Sequence, residues 1–140
     1  LNFLIHEAMA TQILGHGQVF DMFPRLKVVV CHCGGALSRF LNADPHNPQH
    51  DRTKNLFFDT CSYDPIFMEA AIKQKGVNRM LFGTEAPGSG GQKRPDTGKP
   101  CDDLVDVIGD YDFLSKDDKQ KIFYDNAFDA VPLLTKKAVG

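Results

Sequence analysis

Apolar residues at Leu4, Ile5, Ala8, Met9, Ile13 and Leu14 recur in steps of three and four, which predicts a helix over residues 1–20. Gly15 and Gly17 loosen its end and Pro24 stops it. The period then changes. Val28, Val29 and Val30 form an unbroken apolar run, which predicts a strand covered on both faces, as in a parallel sheet. Residues 55–61, with Leu56, Phe57 and Phe58, predict a second strand, and residues 77–82 a third. Between them Asp64 as N-cap and Pro65 at the first helical position open a helix over 65–75, which Gly76 closes. Ile66, Phe67, Ala70, Ala71 and Ile72 supply its expected buried face. Strand, helix and strand in this order predict a right-handed parallel crossover, and so an α/β fold.

Two more helices are expected downstream. Acids at Asp102 and Asp103 favour a helix start through the macrodipole. Ser115 as N-cap with Asp118 three residues on is a shortened capping box. Asn126 turns into a last short helix before Pro132. Residues 86–100 are rich in Gly and Pro and read as a mobile substrate loop, in which Lys93 and Arg94 are mobile cations that could meet an anionic substrate or, by default, simply be solvated. Their glycines match neither a Walker nor a Rossmann spacing.

Composition narrows the function classes. At 140 residues the chain suits one domain. Sixteen basic against 18 acidic side chains leave a formal charge of -2, and no basic stripe appears, so nucleic acid is not an expected partner. The apolar runs fall short of the roughly 18 residues of a membrane span. Cys31, Cys33, Cys61 and Cys101 do not form a disulfide framework. Cys31 and Cys61 fall in strands expected to be buried, which predicts a reducing, cytoplasmic setting. The chain opens on Leu1 inside a helical pattern, which points to a fragment.

The chemistry gathers at the predicted strand tips, where α/β folds place their sites. His32 ends the first strand and is followed by Gly34 and Gly35, which permit a sharp turn. Asp59 and Thr60 end the second strand, and Glu85 the third. A histidine and a carboxylate on neighbouring tips suit metal binding or proton transfer. The plainer alternatives are a histidine donating to a nearby carbonyl and acids satisfied by backbone donors or capping a helix. Arg39 follows the first tip, and its guanidinium could hold a carboxylate or form a surface ion pair. His6, His16, His46 and His50 have the character of surface or loop histidines.

Four motifs in order carry a family resemblance: His32-Cys33-Gly34-Gly35, Phe58-Asp59-Thr60, Phe82-Gly83-Thr84-Glu85 and Lys121-Ile122-Phe123-Tyr124-Asp125-Asn126. From about Phe20 to Leu134 the chain resembles the C-terminal part of the amidohydrolase-related proteins typified by aminocarboxymuconate semialdehyde decarboxylase. The resemblance implies a distorted (β/α)8 TIM barrel with one divalent metal, usually zinc, at its C-terminal face. It implies that this chain is a single partial domain over residues 1–140, supplying about strands six to eight. His32 matches the histidine ending the sixth strand, which serves in proton transfer or water activation. Glu85 matches the acidic metal ligand ending the eighth strand, usually Asp, with Glu in relatives resembling 4-oxalomesaconate hydratase. Those relatives share Pro95, Thr97 and Gly98 followed by Asp102 and Asp103. Arg39 lies near a substrate-binding arginine, over a shortened spacing.

The family's His-x-His on the first strand and its histidine on the fifth have no counterpart here. The missing N-terminal barrel half is therefore needed as a partner, and a homo-oligomer is the family expectation. The implied activity is that of a lyase on a small carboxylate. Decarboxylation of an aromatic or oxo acid is placed first, with hydration of the 4-oxalomesaconate type, metal-dependent hydrolysis, or an inactive or structural subunit as alternatives. A structural zinc on Cys31-His32-Cys33 is a further alternative, disfavoured because alternate strand residues point to opposite faces.

Overall fold

The computed structural model describes residues 2–38 and 53–134. Helix α1 (Asn2–His16) is followed by the single turn α2 (Val19–Met22) and by strand β1 (Val28–Val30). Strand β2 (Leu56–Asp59), helix α3 (Pro65–Lys75) and strand β3 (Met80–Leu81) come next. Helices α4 (Val105–Gly109), α5 (Lys116–Gln120) and α6 (Asn126–Ala130) complete the described chain, and a π-helical turn (Lys121–Asp125) joins the last two.

The three strands form one parallel sheet in the order β1-β2-β3. Val30 pairs with Phe58, and Phe58 with Met80, so the three C-terminal tips lie side by side. β2 is central, and Leu56, Phe57 and Phe58 are all buried, as an apolar run without alternation requires. β1 departs from that expectation. Val29 is 42% exposed, because β1 is an edge strand and one of its faces has no covering layer among the described residues.

α3 forms where its local signals put it. The Asp64 carboxylate accepts from the Ile66 amide at 2.9 Å, Pro65 occupies the first turn, and Gly76 closes the helix at φ 85°. The face it buries is Met68, Ala71, Ile72 and Lys75, whereas Ile66 is 80% exposed, so the sequence-derived face was rotated. The core gathers Phe58, Leu56, Met68, Ile72, Met80, Leu104, Ile108 and Ile122 between the sheet and helices α3, α4 and the π turn. Each such side chain contributes about 1.5–3 kcal/mol by leaving water.

The last helices hold the third strand tip. The Phe82 amide donates to the Ile122 carbonyl at 2.9 Å, and the buried Asn126 Nδ2 donates to the carbonyls of Val77 and Met80 at 2.7 and 2.8 Å. The Ser115–Asp118 capping box is present. α4 starts later than its acids suggested, at Val105. No helix among the described residues is long and apolar enough to cross a membrane.

Candidate active site

The backbone turns sharply at the first strand tip. Cys31 is still extended, and then His32, Cys33, Gly34 and Gly35 all have positive φ, at 51°, 54°, 80° and 77°. Non-glycine residues rarely adopt this region, and holding one there costs about 1–3 kcal/mol. The described non-glycine residues with positive φ are His32, Cys33 and Glu85, so both residues singled out at the strand tips occupy strained backbone. Residues 31–33 therefore follow a turn and not a strand. Cys31 is exposed and Cys61 half-buried, contrary to the buried positions expected of them, because both lie past the ends of their strands.

Asp59 holds this turn. Its Oδ1 accepts from the amide of Cys33 at 3.2 Å and from that of Cys61 at 3.1 Å, which ties the exits of β1 and β2 together. Thr60 ties β2 to β3, its hydroxyl donating to the Gly83 carbonyl at 3.0 Å and accepting from the Gly83 amide at 3.1 Å. The sheet thereby fixes the position of Glu85.

His32 and Glu85 meet, with Nε2 of the imidazole 3.4 Å from Oε1 of the carboxylate. Two further residues complete a chain of polar contacts. Glu7, from α1, places Oε1 and Oε2 at 2.8 and 3.0 Å from Nδ1 of His32. Tyr63 donates its hydroxyl to Oε2 of Glu85 at 2.6 Å and lies 3.3 Å from the Ser89 hydroxyl. Burial alone would lower the His32 pKa, but the hydrogen bonds and charges of Glu7 and Glu85 outweigh it and raise the pKa above the ordinary histidine value. The Tyr63 hydrogen bond, followed by the histidine, lowers the pKa of Glu85. Desolvation and the neighbouring carboxylate raise that of Tyr63.

Sequence reasoning missed Glu7 and Tyr63. Glu7 is the only Asp, Glu, Lys or Arg in the first twenty residues, a signal that was available. Tyr63 carried none. The loop over 86–100 also differs from its reading as mobile. Arg94 is 9% exposed, and its guanidinium donates to the carbonyls of Tyr63 at 3.2 Å and Cys101 at 2.6 Å, so it anchors the loop beneath Tyr63. Lys93 and Pro100 form a β-bridge across the loop. Arg39, His46 and His50 lie outside the described residues.

At the strand tips an imidazole nitrogen and a carboxylate oxygen thus stand 3.4 Å apart, on His32 and Glu85. Structural and catalytic zinc sites use three or more protein ligands. Among the described residues no group of three His, Cys, Asp or Glu side chains could hold a metal ion. A groove of about 600 Å³ lies elsewhere, between α1 and residues 35–38, and no ionisable side chain lines it.

Comparison with known proteins identifies the family. The family model described as amidohydrolase matches residues 2–133. The 2-keto-4-carboxy-3-hexenedioate hydratase of Sphingobium sp. is 31% identical over 143 aligned positions, which cover 96% of this chain and 42% of that protein. The crystal structure of 4-oxalomesaconate hydratase from Rhodopseudomonas palustris superposes with a TM-score of 0.82 at 29% identity, over 94% of this chain and 43% of that one. A dihydroxybenzoic acid decarboxylase from Polaromonas sp., solved with bound manganese and 2-nitroresorcinol, superposes with a TM-score of 0.58 at 19% identity, over 94% and 41%. That likeness speaks for the fold alone. The chain spans about two-fifths of the length of these relatives. Its three-stranded parallel sheet, with helices following the strands, is a partial α/β unit of the kind found in amidohydrolase-superfamily TIM barrels, and the chain belongs to the amidohydrolase family.

Proposed function

We propose that this chain is the C-terminal portion, about strands six to eight, of a barrel that acts as a metal-dependent lyase on a small oxo-carboxylate. The observation that carries the reading is the 3.4 Å approach of His32 Nε2 to Glu85 Oε1 on strained backbone at adjoining strand tips. Active sites are where such strain is retained. Addition of water to an unsaturated oxo-tricarboxylate is the favoured form, since the relatives matched at 29% and 31% identity are hydratases. Decarboxylation would use the same residues, and a decarboxylase shares the fold.

The roles follow from chemistry. Glu85 is assigned as a metal ligand, with one oxygen steadied by Tyr63 and the other directed toward His32. A carboxylate joined by ligands from the upstream barrel strands would suit a divalent metal such as zinc. A bound divalent metal supplies Lewis-acid polarisation of a substrate oxygen. His32 carries the proton that substrate carbon or oxygen gains or loses, at Nε2, the ring nitrogen facing Glu85. Arg39 is assigned to a substrate carboxylate on the chemistry of its guanidinium. The upstream strands would also cover the exposed Val29 and the α1 residues Ile5, Met9 and Ile13, which are 59%, 56% and 62% exposed.

Elemental analysis tests the architecture. About one metal equivalent in the complete polypeptide and essentially none in residues 1–140 alone is the expected pattern. Turnover assays on the complete polypeptide test the chemistry, with unsaturated oxo-tricarboxylates followed by loss of the conjugated chromophore and aromatic acids by release of CO2. Turnover confined to lactones or amides overturns the lyase reading.

A further inference from the structure

We propose that Glu7 is a positioning residue that fixes the tautomer and ring orientation of His32, so that the mobile proton sits at Nε2. The inference rests on the lyase reading for its catalytic consequence, but the tautomer is a property of the protein alone.

The geometry begins with a glycine. A Cβ on Gly35 would stand 2.2 Å from the Leu4 carbonyl oxygen and 2.8 Å from the Ala8 amide nitrogen, so only glycine lets the second turn of α1 seat on the His32 turn. Phe3, Glu7 and Thr11, spaced by four, then share the docked face of the helix. The Phe3 ring packs on the imidazole with centroids 5.0 Å apart. The buried Thr11 hydroxyl donates to the Gly34 carbonyl at 3.4 Å. Glu7, between them, meets Nδ1.

Two carboxylates compete for the ring protons, and distance decides between them. Glu7 offers both oxygens to Nδ1, at 2.8 and 3.0 Å, whereas Glu85 approaches Nε2 at 3.4 Å. A singly protonated ring therefore keeps its proton on Nδ1 and leaves Nε2 as the site of exchange. A carboxylate behind a working histidine commonly plays this part, and its loss costs about 10–100-fold. Glu7 comes from the helix α1 and is separated from His32 by 25 positions, so no local motif ties the two together.

The test uses the complete polypeptide labelled with 15N-histidine, with the His32 signals assigned from H32N. The wild type should show the Nδ1–H tautomer. Glu7→Gln keeps a neutral acceptor of the same shape and should retain that tautomer in part. Glu7→Leu should shift it toward Nε2–H and lower kcat about 10–100-fold, with KM within about threefold and metal content unchanged. An Nε2–H tautomer in the wild type, or an unchanged tautomer in a folded Glu7→Leu protein, overturns the proposal. Should Glu7→Leu fail to fold, the wild-type tautomer and that of the isosteric Glu7→Gln still decide. A wild type without lyase turnover refutes the functional reading and leaves the tautomer result standing.

Discussion

The hydroxyl of Tyr63 donates to Oε2 of Glu85 at 2.6 Å, joining the residue after the β2 tip to the acid after the β3 tip. Tyr63→Phe removes this donor without changing ring volume. The Glu85 pKa, now below the ordinary carboxylate value mainly through this bond, should rise. A depressed carboxylate adds stability above its unfolded pKa and loses it as pH falls through the folded value. The variant should therefore lose less stability on acidification. Carboxyl 13C shifts and denaturant midpoints below pH 5 check both outcomes.

His32→Asn is expected to fold and not to turn over. Asparagine tolerates the left-handed region better than most side chains, so the 51° φ at this position is accommodated. It has no titrating proton, so turnover of the complete polypeptide should fall about 100-fold or more. The wild-type histidine, with its pKa raised, contributes stability that is full below the unfolded value and lost as pH rises through the folded one. The variant's unfolding free energy should be flatter across that window, which urea titrations at several pH values would show.

Gly35→Ala should separate α1 from the rest of the fold. The new methyl meets Leu4 and Ala8 backbone atoms, and the 77° φ strains any L-residue. A loss of at least about 2 kcal/mol is expected, together with faster proteolysis within α1. A midpoint matching the wild type would contradict the docking.

Lys75 lies 4% exposed beneath the same turn, its Nζ donating to the Ala36 carbonyl at 3.0 Å and standing 5.0 Å from the Phe58 ring centroid. Burial pushes its pKa down from 10.5 to about 8. The unfolded chain therefore binds more protons between these values, so this group's contribution makes stability rise with pH across about 8–10.5. The full penalty, present below pH 8, is about 3 kcal/mol. Lys75→Met should be more stable than the wild type at pH 7 and should lack that slope.

Where the determinants were local, the sequence could be read closely. Asp64, Pro65 and Gly76 bound α3 at the expected residues, and Ser115 with Asp118 marks the start of α5. His32 and Glu85 were visible because each follows an apolar run at a strand tip. What could not be read depends on packing between distant segments. The face that α3 buries includes Lys75 in place of Ile66, an exchange that hydrophobicity alone argues against. Glu7 reaches His32 only after Gly35 admits α1, and Arg94 is anchored by two carbonyls that carry no side-chain signal. The exposed Val29 shows that an unbroken apolar run records the surroundings a strand is built for, whether or not this chain supplies them.

The outer edge of β1 bears on how the chain behaves in the test tube. The backbone groups on the side of β1 away from β2 have no neighbouring strand among the described residues, and α1 packs beside the strand. Such an edge is a template for strand addition. Expressed alone, residues 1–140 should associate edge to edge as concentration rises, so their solubility limit, read by light scattering, reports on this seam before any assay of chemistry does.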